Sequence, residues 1–188
     1  MNRLRAYLVD FDGTLADTAL ANYLAYAAAL EEAGVALERQ EFEAQALGRN
    51  WRDFLPALLH KKGCGADPAA IAARKASLYR GNVRRIRFND ALVALLENRN
   101  SETKAALVTS ASAANVEAAL ASRRALGRLF DALVTGDDVA RHKPDPEGYR
   151  LAAQRLGVAP ENCLVFEDSE IGMRAGLAFG ALILRIRL

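Results

Sequence analysis

After about Phe88 the chain alternates short apolar runs with helix-like stretches, and that rhythm restricts it to very few architectures. Residues 105–108, 130–134, 164–166 and 181–188 read as strands. Helices are predicted over residues 115–125 and 146–156, the second with Pro146 early and Gly157 just past its end. A third runs to about Ala178, and Asn89 reads as an N-cap for residues 91–96. An earlier apolar segment, residues 4–11, runs straight into Asp12-Gly13, as a buried strand ending in a tight loop does. Strand alternating with helix implies a parallel sheet covered on both faces.

Between the first strand and the later ones lies a long stretch with helical signals and no convincing strand. Leu20, Leu24, Ala27, Ala28 and Leu30 keep helix spacing, and Gly34 is a plausible C-cap. Trp51, Phe54, Leu55, Leu58 and Leu59 form one amphipathic face, and after the breaker at residues 63–68 a helix runs to about Tyr79. The expected fold class is α/β, a Rossmann-like parallel sheet core with an inserted all-α cap domain. The core comprises residues 1–16 and 86–188 and the cap residues 17–85.

A 188-residue chain that is 52% hydrophobic can bury a core for such a fold, and disorder is not expected. The net charge of +2 gives no reason to expect a nucleic-acid partner, and Arg84-Arg85-Ile86-Arg87 reads as a solvated helix end or linker. Asp10 and Asp12 interrupt the apolar N-terminal run, so no signal peptide is expected. The longest uncharged stretch, residues 18–30, is shorter than the roughly 20 residues a membrane span needs. Cys64 and Cys163 suggest neither a disulfide framework nor a zinc site, and a cytoplasmic protein is expected, a monomer or weak homodimer.

The chemistry concentrates where strands end. In a parallel sheet, ligands sit at the carboxyl ends of strands. Asp10 and Asp12 follow the first strand, Thr109 follows Leu107-Val108, Lys143 lies beyond Leu133-Val134, and Glu167-Asp168 follow Val165-Phe166. Clustered carboxylates repel one another until a hard cation resolves the conflict, and oxygen ligands without His or Cys favour Mg²⁺ over zinc. A carboxylate nucleophile can accept a phosphoryl group, a second carboxyl two residues on can serve as acid and then base, and a lysine offsets charge on the transferring oxygens. Backbone N–H groups at Gly13 and at Thr109-Ser110 add hydrogen bonds to phosphate.

Asp10-Phe11-Asp12-Gly13-Thr14-Leu15, Leu107-Val108-Thr109-Ser110, Lys143-Pro144-Asp145-Pro146 and Phe166-Glu167-Asp168-Ser169, with Gly172 and Gly176 beyond, resemble the four motifs of the haloacid dehalogenase superfamily. The resemblance is to the subgroup of β-phosphoglucomutase and small sugar-phosphate phosphatases. It implies Asp10 as nucleophile and metal ligand, and Asp12 as general acid/base that also lends its carbonyl to Mg²⁺. It implies Thr109 on the phosphoryl oxygens, Lys143 bridging phosphate and Asp10, Asp168 as a metal ligand with Glu167 beside it, and a helical cap closing over the site. The substrate expected is a small phosphorylated metabolite. The dehalogenases lack the second aspartate, so Asp12 points to phosphate chemistry. Mutases of this group carry a histidine near the position of Asn22, so hydrolysis is favoured over phosphomutase activity, and a non-catalytic binding module is disfavoured by four complete motifs.

In the cap, Arg49 within Gly48-Arg49-Asn50 is a candidate for reaching a substrate anion, although a surface role is the plainer reading. Trp51 and Phe54 are expected to pack the cap interior, no lysine among Lys61, Lys62 and Lys75 is singled out, and His60 and His142 read as histidines without partners. In the tail, Leu184, Ile186 and Leu188 alternate with Arg185 and Arg187, which places the last strand at or near the sheet edge.

Overall fold

The computed structural model describes residues 4–46 and 49–188, with the backbone alone at Arg124. Gly48 therefore lies outside the described residues. Five parallel strands form the central sheet: β1 (Ala6–Val9), β4 (Lys104–Val108), β5 (Ala132–Val134), β6 (Cys163–Glu167) and β7 (Leu182–Arg185), in the order β5-β4-β1-β6-β7. The chain passes from β1 to one side of the sheet and then returns to the other. β1 is therefore flanked by β4 and β6, with Val9 level with Leu107 and Phe166. That reversal opens a crevice at the carboxyl ends of these three strands.

The apolar runs are continuous because both faces of the sheet are buried. On one face Val9, Leu107 and Phe166 pack with α5 (Asp90–Glu97) and α6 (Ala113–Ala121). On the other Leu8, Val108 and Val165 pack with α7 (Glu147–Leu156) and α8 (Glu170–Phe179). The Asn89 side chain caps α5 at Leu92 N, and Gly157 ends α7 in the left-handed conformation, as read from the sequence.

Helices α1 (Ala19–Glu31), α2 (Arg39–Gln45), α3 (Trp51–Lys61) and α4 (Pro68–Asn82) share a separate apolar cluster that includes Tyr26, Phe42, Phe54, Leu55, Leu58 and Ile71. They are joined to the sheet domain through a two-stranded antiparallel ribbon of β2 (Ala16–Asp17) and β3 (Arg87–Phe88). Arg84 and Arg85 form a solvated helix end as read from the sequence, and only Arg87 departs from that reading by entering the ribbon. After a 3₁₀ turn at Val83–Arg85, Arg87 pairs across the ribbon with Asp17 at 2.8 Å. Two residues per strand are too few for any alternation to show.

β7 is an edge strand, and Arg185 and Arg187 are exposed, as expected from the alternation. The apolar side differs from expectation. Leu182, Leu184 and Leu188 are exposed, whereas Ile183 packs toward α8, where Gly176 leaves room for it. No helix of the described residues is long and apolar enough to cross a membrane.

Candidate active site

Asp10 is the first residue past β1, and its backbone N–H donates to Phe166 O at 3.0 Å. Its carboxylate is 6% exposed and turns into the crevice between β4 and β6. The turn that follows needs Gly13, whose φ is +87°, a value that side chains disfavour. A β-carbon there would also lie 2.2 Å from Asp168 Oδ2, so only glycine lets the first loop sit against the fourth motif.

Asp10, Glu167 and Asp168 bring one carboxylate oxygen each to within 4.8 Å of the others. Lys143, delivered by the loop between β5 and α7, inserts its ammonium between two of them. It donates to Asp10 Oδ1 at 2.6 Å, to Glu167 Oε1 at 2.6 Å and to the Val108 carbonyl at 3.1 Å. All three of its protons are thereby used. Burial lowers the pKa of Lys143, but the carboxylates of Asp10 and Glu167 outweigh this and hold it well above the ordinary lysine range. Burial, and then the Glu167 charge, push the Asp10 carboxyl well above the usual range, with Lys143 opposing. Asp168 is likewise pushed up by burial and by Glu167. One ammonium among three crowded carboxylates leaves negative charge without full compensation.

Glu167 is fully enclosed. Besides Lys143 it accepts from the Tyr149 hydroxyl at 2.9 Å, Ser169 N–H at 3.1 Å and the Ser169 hydroxyl at 2.9 Å. Burial raises its pKa, yet Lys143 and Ser169 outweigh that and leave it low. Gly172 is obligatory here as well, because a β-carbon would fall 1.8 Å from Glu167 Oε1. Asp168 accepts from the Thr14 hydroxyl at 3.2 Å.

The Asp12 carboxylate stands apart from that cluster and faces the helical unit. Its Oδ1 accepts from the Thr18 hydroxyl and from Asn22 Nδ2, the latter at 3.2 Å, while Thr109 Oγ1 lies 3.4 Å from its Oδ2. Asn22 Oδ1 in turn accepts from Lys75 Nζ at 2.6 Å. The amide orientation is dictated by its neighbours, since a carboxylate only accepts and an ammonium only donates. Lys75 itself is 3% exposed and lies over the rings of Tyr26 and Tyr79, at 4.7 and 4.5 Å. Burial lowers its pKa to about 8. Sequence reasoning passed over this residue. The signal was present, because Ile71, Lys75 and Tyr79 share one helical face, and a lysine on the buried stripe of a helix needs a partner.

Thr109 accepts from Ala111 N–H at 3.0 Å, and Ser112 rather than Thr109 occupies the N-cap of α6. Ser110 is buried, and its carbonyl accepts from Asn50 Nδ2 at 2.8 Å. Asn50 thus joins the start of α3 to the loop after β4 while its Oδ1 caps Arg52 N–H. His142 is not without partners. Nδ1 lies 3.1 Å from an Asp53 oxygen on α3 and Nε2 lies 3.2 Å from Gly136 O. Arg49 is exposed and borders a cavity of about 300 Å³ together with Asp12, Asn22, Lys75, Ser110 and Trp51. Trp51 packs against the apolar cluster of the helical unit as expected and also borders this cavity, and Phe54 packs inside the helical unit.

The family model of the haloacid dehalogenase-like hydrolases matches residues 4–180. The fructose-1-phosphate phosphatase YqaB of Escherichia coli (strain K12) is 32% identical over 186 residues, covering 99% of this chain and 98% of that protein. Hexitol phosphatase A of the same organism is 32% identical over 98% of this chain and 83% of its own length. Among solved structures, CbbY from Rhodobacter sphaeroides in complex with phosphate superposes with a TM-score of 0.89 and 27% identity, over 98% of this chain and 87% of that one. The chain belongs to the haloacid dehalogenase-like hydrolases and is a phosphatase.

Proposed function

We propose that this enzyme hydrolyses a small sugar or polyol phosphate monoester with Mg²⁺, through an aspartyl-phosphate on Asp10. The observation that carries this reading is the buried carboxylate of Asp10, held on Lys143 beside Glu167 and Asp168, with Asp12 two residues on. Asp10 attacks phosphorus, and the bond to the leaving alkoxide breaks as Asp12 donates its proton to that oxygen. Asp12, now a carboxylate, takes a proton from water. The water oxygen displaces Asp10 from phosphorus, which releases inorganic phosphate and restores both side chains. Lys143 holds Asp10 in place and offsets charge on the phosphoryl oxygens, and the Thr109 hydroxyl and Ser110 offer hydrogen-bond donors to them, whereas Gly13 N–H is already given to Ala16 O.

The donor set fits Mg²⁺: it is oxygen-only, it is crowded, and the carboxyls of Asp10 and Asp168 are raised by burial and by the charge of Glu167. Asp10 and Asp168 are the ligands with oxygens to spare, while Glu167 is already engaged by Lys143, Tyr149 and Ser169. When bound, Mg²⁺ supplies positive charge to the transferring phosphoryl group.

Residues 17–85 act in this reading as a cap over the crevice, docked by Asn50 on Ser110, Asp53 on His142 and Arg52 on Asp137. Arg49 reaches the substrate side of the cavity. The names of the relatives, a fructose-1-phosphate phosphatase and a hexitol phosphatase, support a sugar or polyol skeleton. The unpaired thiols of Cys64 and Cys163 suit a reducing cytoplasm. Phosphate release measured over hexose and hexitol phosphates, phosphoglycolate and p-nitrophenyl phosphate tests the proposal. Activity with Mg²⁺ that disappears in EDTA is expected, and metal-independent turnover would contradict it.

Lys75 sets the position of Asp12 through Asn22, at a cost in stability. A lysine whose folded pKa is about 8, below its unfolded value, is a group whose protonation disfavours the fold, so that stability rises with pH across that interval. Lys75→Met is therefore expected to stabilise the protein at pH 7 by on the order of 1–2 kcal/mol, after allowing for the donor that Asn22 loses. The gain should shrink as pH rises from about 8 and vanish only above about pH 11.5, where the lysine is neutral in the unfolded chain as well. Phosphatase activity should fall in the same variant, about 10-fold, because Asp12 is less firmly held. Thermal melts at pH 7 and 10 beside initial rates check both halves.

A further inference from the structure

The start of α3 lies on the two loops that follow β4 and β5, and one side chain is set into their seam. Asn50, 2% exposed, donates its Nδ2 to the Ser110 carbonyl 60 positions away, while its Oδ1 accepts from Arg52 N–H. Those partners fix the amide, since a carbonyl only accepts and an N–H only donates. Gly136 makes the room. A β-carbon there would lie 2.4 Å from Asn50 Nδ2 and 2.4 Å from Ser110 O. Its own φ is not positive, so the close approach, and not the backbone conformation, calls for glycine. The same glycine donates its N–H to Ala111 O at 2.8 Å, and its carbonyl lies 3.2 Å from His142 Nε2, whose ring meets Asp53 on α3. Asn50 and Asp53 thus bring α3 onto Gly136 from two sides. Ser110 adjoins Thr109, whose hydroxyl lies 3.4 Å from Asp12 Oδ2.

We propose that Asn50 is a positioning residue: its amide, seated across Gly136 on Ser110, is the clasp that holds residues 17–85 closed over Asp10 and Asp12. This rests on the phosphatase reading of the site and names the group that sets its open–closed balance. The contact exists only while α3 lies on the core. When the two part, the Ser110 carbonyl turns to water and Asn50 keeps only its helix cap. Removing the donor leaves that carbonyl buried and unsatisfied in the closed state, which moves the balance toward open.

Asn50→Asp separates the clasp from the helix cap. Aspartate caps a helix as well as asparagine does, but it has no proton for Ser110 O and its charge repels that carbonyl. Asn50→Ala loses both functions. Trp51 is the chain's single tryptophan, and it packs on the apolar cluster of the helical unit and borders the cavity, so its quenching by acrylamide reports opening. The test measures that quenching without substrate, kcat/KM on fructose 1-phosphate and p-nitrophenyl phosphate, and the melting temperature. In both variants the quenching constant should rise about 2-fold or more and kcat/KM should fall about 10-fold on both substrates. Asn50→Asp should melt within about 3 °C of wild type, and Asn50→Ala lower, because only the alanine variant loses the cap. The inference is overturned if Asn50→Asp matches wild type in quenching and rate, if one of these signals moves without the other, or if Asn50→Asp melts as low as Asn50→Ala. Quenching is read without turnover, so it decides the clasp separately from the phosphatase reading. Phosphate release that is unchanged in Asp10→Asn would remove that reading itself.

Discussion

Replacing Asp10 with asparagine is expected to lower kcat/KM by at least about 10⁴-fold while leaving the fold intact. The two side chains share size and shape, but an amide has no charge with which to attack phosphorus or hold a cation. The fold should tolerate the change because Asp10 is a burden to the folded protein when no metal is bound. Burial and Glu167 raise its carboxyl well above the ordinary range. A raised carboxyl means that the native state is penalised at neutral pH, where the unfolded chain ionises freely. The amide removes that penalty, and Lys143 retains its 2.6 Å contact to Glu167. A melting temperature within a few degrees of wild type in EDTA, with activity gone, is the expected pair of results. Substantial residual turnover would place the nucleophile elsewhere.

Lys143→Met should damage both properties. Removing the ammonium leaves Asp10 and Glu167 buried against each other with no counter-charge, and breaking a buried pair in this way costs roughly 3–5 kcal/mol. In a chain of this size that corresponds to a fall in melting temperature of about 6–20 °C. Activity should drop by about 10²–10³-fold through lost stabilisation of the transferring oxygens. The pH dependence has a definite sign. Without Lys143, burial and mutual repulsion both raise the two carboxyls, so the folded variant binds more protons than the unfolded chain. Its stability should therefore recover as pH falls from about 8 toward 5. In EDTA the gap between variant and wild type should narrow over that interval. A gap independent of pH would show that Lys143 contributes packing and not charge.

The core was legible because strand ends and chemistry coincide in sequence. Asp10, Thr109 and Glu167 each close an apolar run, and in a parallel sheet such ends meet. The alternation implied the parallel sheet, while the strand order is seen only in the structure. The helical unit was less legible for two physical reasons. Some of its contacts to the core join residues far apart in the chain. His142 and Asp53 are 89 positions apart, and no local pattern marks either as a partner. Its polar residues also occupy positions that composition alone assigns to surface or to core. Lys75 sits on a buried stripe, and Trp51, packed on the apolar cluster, borders the cavity as well. The exposure of Leu182 and Leu184 follows from where α8 lies, on the Ile183 side of β7, which period-two alternation does not encode.

The most direct measurement of an aspartyl-phosphate on Asp10 uses Asp12→Asn with ³²P-labelled p-nitrophenyl phosphate and Mg²⁺. p-Nitrophenolate leaves without needing a proton, so phosphorylation should proceed, while attack by water lacks its base and should stall. One equivalent of p-nitrophenolate per enzyme should appear in a burst, matched by acid-stable, alkali-labile label in the peptide that contains Asp10. A burst without label on that peptide, or slow turnover with neither burst nor label, would contradict it.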